Sequence, residues 1–248
     1  MQAVLFDLYG TLLVYGDMAK AWTDWIEDMA SGLRLVGIKT DVKDLGKACH
    51  GFFSGSIDPI EGLTVYETRI HQLALRLGGM PNNSWCKDLA TRSLVRWQSY
   101  ISLDPNAIPL CSELHGKGVR IGILTNFDHS PHVHHIVDRV GFRPFLQALV
   151  VSGEVGLKKP DPRIFQLALT QLGVLARDCL FVGDHPEEDF AGASLAGMTS
   201  LLLKRDGKAL DRLHVNYQED LTPGNVHPKN ADPWGVVTSI RDIRPFFP

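Results

Sequence analysis

The chain has 248 residues, 44% hydrophobic and 21% charged, an ordinary globular composition with length enough for one large domain or a core plus an insertion. Its 25 Lys and Arg stand against 28 Asp and Glu, a net charge of −3, so no positive field exists to draw nucleic acid or an anionic membrane, and neither is expected as a partner. Asp7 interrupts the first apolar run, MQAVLFDLYG, and no stretch approaches the roughly 20 apolar residues of a membrane span, which argues against a leader and an anchor. Cys49, Cys86, Cys111 and Cys179 lie far apart without metal-ligand spacing, so free thiols in a reducing, cytoplasmic setting are expected.

In chain order, the first element is the short apolar run 3–6, a buried strand closed by Asp7. From about Tyr15 to Trp97 no good strand follows. Met18, Trp22, Trp25 and Met29 repeat at i, i+4, i+7 and i+11, as do Tyr66, Ile70, Leu73 and Leu77, so each set forms one apolar stripe for helix–helix packing. The run Gly78-Gly79-Met80-Pro81-Asn82-Asn83 breaks this helical region, with Ser84 expected to cap the next helix. Four more strand-like runs follow, at 119–124, 148–151, 180–182 and 200–203, interleaved with helical segments at 109–115, 132–140, 163–172 and 190–196. Strands alternating with helices predict a doubly wound parallel sheet of the α/β class, carrying a helical insertion after its first strand. The polar, Pro-, Gly-, Asn- and His-rich stretch 206–234 reads as a long loop, and 236–243 as one more ordered element.

Ligands of open parallel sheets bind at the carboxyl ends of the strands, so the polar residues that close each run carry the candidate chemistry. The first strand ends in Asp7-Leu8-Tyr9-Gly10-Thr11, the second in Thr125-Asn126 and the fourth in Gly183-Asp184, with Asp189 five residues on; Lys158-Lys159-Pro160-Asp161-Pro162 follows the third. A carboxylate, hydroxyls, an ammonium and a carboxylate pair are thus expected in one crevice. Any one of them alone reads equally as a helix N-cap; four in register do not.

The segments FDLYGTL, ILTN, KKPDP and GDHPEED, in that order and spacing, resemble the four motifs of the haloacid dehalogenase superfamily, over nearly the whole chain to about Arg205. The resemblance implies a Rossmann-like core, 1–14 and 99–248, with 15–98 in the position of that family's helical cap. It implies Asp7 as a nucleophile that forms an aspartyl intermediate later hydrolysed by water. Thr125 and Lys159 would bind the transferred group, with Thr11 and Asn126 beside them on the substrate. Asp7, Asp184, Asp189 and the backbone carbonyl of Tyr9 would hold Mg²⁺. A carboxylate attacking an anionic phosphoryl group needs nearby positive charge, which Mg²⁺ and a lysine supply. The Lys-Pro pair selects Lys159, leaving Lys158 as a solvated charge.

Tyr9 departs from the family's phosphatases, which place there a second Asp as general acid and base. Acid–base help is worth about 10²- to 10⁴-fold, and a phenol with an ordinary pKa near 10 is a poor base at neutral pH. Tyr at this position is similar to the family's 2-haloacid dehalogenases, whose halide leaves without a proton. The other dehalogenase marks are missing: their Ser-x-Asn segment is Asp184-His185-Pro186 here, and their later Tyr is Phe165. A Mg²⁺-dependent phosphatase acting on a small phosphorylated metabolite is therefore the leading expectation. A dehalogenase, or a silent member that binds a ligand or partner, are the alternatives.

Other candidates have plainer readings. The histidines of FDHSPHVHH, His129, His132, His134 and His135, lack further ligands and are expected on a solvated helix face. His185 reads as a surface loop residue or as a proton-transfer partner, and Asp128 as the start of a helix. Lys20 and Arg69 are expected to be solvated rather than anion contacts.

Overall fold

The computed structural model describes residues 1–205 and 235–248; the expected loop at 206–234 lies outside them. Six strands form one parallel sheet: β1 (Ala3–Phe6), β4 (Arg120–Thr125), β5 (Leu146–Val151), β6 (Cys179–Gly183), β7 (Thr199–Leu203) and β8 (Val236–Val237). Their order across the sheet is β5-β4-β1-β6-β7-β8, so the direction of travel reverses between β1 and β6. This is the Rossmann-like, doubly wound α/β arrangement, with its switch point beside the end of β1. Ala3 pairs with Arg120 on one side and with Cys179 on the other. The remaining two strands, β2 (Leu13–Tyr15) and β3 (Ile101–Leu103), make a separate two-stranded sheet.

Every residue of β1 is fully buried. Side chains alternate across a strand, so Ala3 and Leu5 face one side and Val4 and Phe6 the other. The Ala3/Leu5 side is covered by α8 (Pro162–Leu172), whose Ile164, Phe165, Ala168, Leu169 and Leu172 pack with Leu124, Val150 and Phe181. Each such Leu, Ile or Phe gains about 1.5–3 kcal/mol by leaving water. The other helices of this part are α5 (Ala107–Gly116), α6 (Ser130–Arg139) and the short α7 (Ser152–Val155) and α9 (Gly192–Leu195). The expected helix at 190–196 is prefaced by a π-helical segment, Pro186–Ala191. Beyond β8 a 3₁₀ helix, Ile240–Phe246, buries Ile240 and Ile243.

Contacts divide the described chain into two units, one of residues 1–14, 102–205 and 235–248 and one of residues 15–101; the chain passes from one to the other within β2 and within β3. The second unit is helical: α1 (Met18–Leu35), α2 (Val42–Ala48), α3 (Val65–Arg76) and α4 (Asn83–Gln98). Trp25 and Met29 of the first stripe and Tyr66, Ile70 and Leu73 of the second are buried. The indole N–H of Trp25 donates to the Tyr66 hydroxyl at 2.7 Å, which also meets Ser93 Oγ at 2.9 Å, so the polar tips of both core aromatics are satisfied. The cap of α4 is Asn82 rather than Ser84: Asn82 keeps an extended backbone and its side chain accepts from Trp85 N–H at 3.0 Å, leaving Ser84 inside the first turn. All four cysteines are buried and free, with thiols pushed up to about 11 or 12, chiefly by burial.

Candidate active site

The loop leaving β1 makes a tight turn: Leu12 and Leu13 N–H both donate to Leu8 O, and Gly10 N–H to Leu13 O at 2.7 Å. Gly10 sits at φ +93°, open to glycine at little cost. A Cβ there would also lie 2.1 Å from Asp184 Oδ2, so the loop's main chain presses directly on that carboxylate. At the end of β6 the same device recurs, a Cβ on Gly183 falling 2.3 Å from Asp189 Cγ. Two glycines thus let three carboxylates gather at the switch point. Asp7, Asp184 and Asp189 each offer an oxygen, all within 4.8 Å of one another.

Lys159 enters this cluster from the segment before α8. Its ammonium is 2% exposed and donates to Asp7 Oδ1 at 2.7 Å and to Asp189 Oδ1 at 2.5 Å. Asp189 Oδ2 in turn accepts the His185 main-chain N–H at 2.9 Å. One ammonium bonds two of the three gathered carboxylates, and the deficit shows in the proton affinities of Asp7 and Asp184. Burial first, and then the charge of Asp189 against the pull of Lys159, pushes Asp7 up to about 7. Burial and the charges of Asp7 and Asp189 hold Asp184 well above the usual carboxylate range. Burial works against the charge of Lys159, but Asp189 and Asp7 override it and keep the ammonium protonated. Three hard oxygen donors short of positive charge are the donor set that suits a divalent cation such as Mg²⁺.

The remaining candidates fall around this centre. Thr11 is buried and donates through Oγ1 to Asp184 Oδ1 at 3.4 Å. Thr125 is buried at the end of β4, the strand beside β1. Asn126, expected beside the substrate, bonds the main chain of Lys159. Its Oδ1 accepts Lys159 N–H at 2.8 Å, and its Nδ2 donates to Lys159 O at 3.0 Å and to Glu188 Oε2 at 2.8 Å. The amide therefore clamps the backbone that carries the ammonium. Glu188 is not singled out by the sequence, because an acid inside GDHPEED reads as helix surface; it lies in the π-helical segment 186–191 and reaches Asn126 from there.

The Tyr9 ring lies flat on Phe127, centroids 5.0 Å apart, and Phe127 lies flat on His132 at 5.7 Å. Burial pushes the Tyr9 phenol still higher. The expectation of a solvated histidine face fails for two of the four residues. His132 is buried on the side of α6 that carries Val133, Ile136 and Val137, and burial lowers it to about 3, so it is a neutral core ring. His129 is buried as the cap of α6, accepting from His132 N–H, the place expected for Asp128. His134 stays on the surface beside Glu154 and Arg143. The ring of His185 caps the π-helical segment through Nδ1, accepting from Glu187 and Glu188 N–H. Lys158 is exposed, and Phe165 is core, edge-on to Phe181 at 5.5 Å. Within the helical unit, Lys20 bonds Asp24 at 3.4 Å and Arg69 donates to Ser54 O and Gly55 O, so internal partners already occupy both cations.

A family model of haloacid dehalogenase-like hydrolases matches residues 1–197. A phosphoserine phosphatase of Thermus thermophilus is 32% identical over 141 residues, 56% of this chain and 55% of that protein. The chain spans about half the length of the curated relatives it matches first. Among solved structures, a HAD phosphatase from Thermococcus onnurineus aligns with TM-score 0.65 at 19% identity, covering 99% of this chain and 97% of that one. A 2-haloacid dehalogenase from Pseudomonas syringae aligns with TM-score 0.64 at 20% identity and the same coverage. These two share the fold. No helix among the described residues is long and apolar enough to cross a membrane. Since the family model runs through the strand ends that carry Asp7, Lys159, Asp184 and Asp189, the chain belongs to the haloacid dehalogenase-like hydrolases.

Proposed function

We propose that this hydrolase is a Mg²⁺-dependent, cytoplasmic phosphatase of small phosphorylated metabolites, with residues 15–101 serving as its cap. The observation that carries the reading is the cluster of three carboxylates around one buried ammonium at the switch point. Asp7, Asp184, Asp189 and the Tyr9 carbonyl would hold Mg²⁺, which would supply the positive charge that makes an anionic phosphoryl group approachable. Asp7 attacks phosphorus, the bond to the leaving oxygen breaks, and the phosphoryl group rests on the Asp7 carboxylate until water returns it as phosphate. Lys159 holds Asp7 in the attacking orientation and offsets the charge that builds on the transferred group. Thr11 bonds Asp184, Thr125 closes the strand beside β1 and would meet the transferred group, and Asn126 fixes Lys159 by its main chain. The named relatives, among them a phosphoserine phosphatase and glyceraldehyde 3-phosphate phosphatases, support the substrate class.

Tyr9 sets the rate. Its buried phenol can give a proton to the leaving oxygen but is a poor base for the hydrolytic water. The aspartyl phosphate is expected to form faster than it decays, so an activated aryl phosphate gives a burst of aryl alcohol before a slow steady rate. The test is aryl phosphate hydrolysis with and without Mg²⁺, beside Tyr9→Asp. Mg²⁺-dependent turnover that rises in Tyr9→Asp by about 10²-fold or more is the expected outcome. Silence of both proteins with Mg²⁺ present overturns the reading. Release of halide from a 2-haloacid without metal would then establish the dehalogenase that Tyr9 alone favours.

A further inference from the structure

Arg205, two residues beyond β7, is assigned no role by the four motifs, yet its guanidinium is spent on the loop that leaves β1. Its Nε–H donates to Gly10 O at 3.4 Å and its Nη2–H to Thr11 O. Its Nη1–H donates to Asp104 Oδ2 at 2.5 Å. Asp104 is 2% exposed and has its other oxygen on Asn106, at 2.7 Å from the main-chain N–H. The main-chain N–H of Asp104 reaches Leu12 O at 3.0 Å. Three successive carbonyls, of Gly10, Thr11 and Leu12, are thus held by one arginine and the aspartate it pairs with. Only a planar fork reaches two carbonyls and a carboxylate together; an ammonium is a point donor. The held residues are those that wall Asp184, through the close approach of Gly10 and the Thr11 hydroxyl at 3.4 Å.

We propose that Arg205 is a positioning residue for the cation site: by fixing the carbonyls of Gly10 and Thr11 it fixes the loop against which Asp184 is set. The inference rests on the divalent-cation reading of the Asp7, Asp184 and Asp189 cluster. Arg205 acts through the loop carbonyls and Asp104, so its loss is felt as weaker cation binding rather than as a lost chemical group.

The experiment is Mn²⁺ binding to the full chain, followed by the electron paramagnetic resonance of free Mn²⁺, for the wild type, Arg205→Ala, Arg205→Lys and Asp184→Asn, with circular dichroism to show that each is folded. Arg205→Ala is expected to weaken Mn²⁺ binding about 10-fold or more, the scale of lost outer partners at metal sites. Arg205→Lys recovers part of it, and guanidinium ion added at millimolar concentration restores Arg205→Ala further. Wild-type affinity in a folded Arg205→Ala overturns the proposal. Should Arg205→Ala fail to fold, Arg205→Lys decides: weakened binding supports the proposal and wild-type affinity overturns it. A wild type whose Mn²⁺ binding is absent, or indifferent to Asp184→Asn, overturns the cation reading itself and this inference with it.

Discussion

Two clusters of charge, one in each unit, are both built on buried carboxylates and differ in balance. In the helical unit Asp24 is 5% exposed and accepts from the Tyr100 hydroxyl, from Lys20 at 3.4 Å and from Arg96 at 3.1 Å. The Tyr100 hydroxyl foremost, then Arg96 and Lys20, hold its carboxyl below the usual range. That cluster is complete: one carboxylate, two cations and a hydroxyl need nothing more. In the sheet unit Asp7, Asp184 and Asp189 gather beside the ammonium of Lys159, which bonds Asp7 and Asp189, and the carboxyls of Asp7 and Asp184 are forced upward. Burial alone does not mark a functional site; burial with charge left uncompensated does.

Neutralising one carboxylate in each cluster should give the largest and most unequal effects. Asp7→Asn should lower turnover of an aryl phosphate by at least about 10³-fold, because it removes the proposed attacking group, whereas Asp24→Asn should leave turnover intact and lower the melting temperature. Equal activity in Asp7→Asn and wild type would end the covalent mechanism.

Cation addition should give the next largest effect. Mg²⁺ at about 100 times its dissociation constant should stabilise the protein by about 2.7 kcal/mol, and Asp184→Asn should abolish the gain. Without the cation, the raised Asp7 contributes stability that is fully present below its ordinary value near 3.8 and is lost as pH rises through about 7. Asp24, held low, contributes stability present above its ordinary value and lost as pH falls through its folded value. Melting curves of cation-free protein should therefore show Asp184→Asn with a flatter decline from pH 4 to 7, and Asp24→Asn with a deficit at neutral pH that vanishes in acid. Parallel profiles in both variants would erase the distinction.

The smallest effect concerns how firmly each ammonium is held. Lys20 is 60% exposed, whereas Lys159 is 2% exposed and its backbone is pinned by Asn126, itself held by Glu188. Glu188→Ala should lower kcat about 10-fold by loosening that clamp, with Glu188→Gln retaining most of the rate and Lys20→Ala all of it. A kcat unchanged in Glu188→Ala would show that the Asn126 amide holds Lys159 unaided.

The sheet was readable from the chain because each buried strand is a run of apolar residues stopped by a polar one, and the stops carry the chemistry. Asp7, Lys159, Asp184 and Asp189 come together in space from those stops. What escaped is what has no periodicity. β2 and β3 are three residues each, too short to alternate, and are paired only by the course of the chain. The partner of Lys159 in Asn126 depends on a main-chain geometry that side-chain identity does not encode. His132 was misjudged as solvated because one helical face of α6 mixes it with valines and isoleucine, and a neutral stacked imidazole substitutes for an apolar ring. Arg205 follows the last long strand, where a cation reads as surface; the nearby Asp104, a buried acid after a strand, was the available signal.

The central place of β1 has a consequence for biosynthesis. Its neighbours on either side begin their pairing with Ala3 at Arg120 and at Cys179. At about 5–20 residues per second, the ribosome needs roughly 9–35 s between making Ala3 and making Cys179. For that interval β1 lacks its β6 neighbour, and until Arg120 is made it lacks its β4 neighbour as well, whereas the helices of residues 15–101, whose stripes and capping box are local, are made before either partner. The insertion that separates β1 from its partners is thus made in full before β1 can pair on either side, so the strand that leads into Asp7 waits longest for its neighbours.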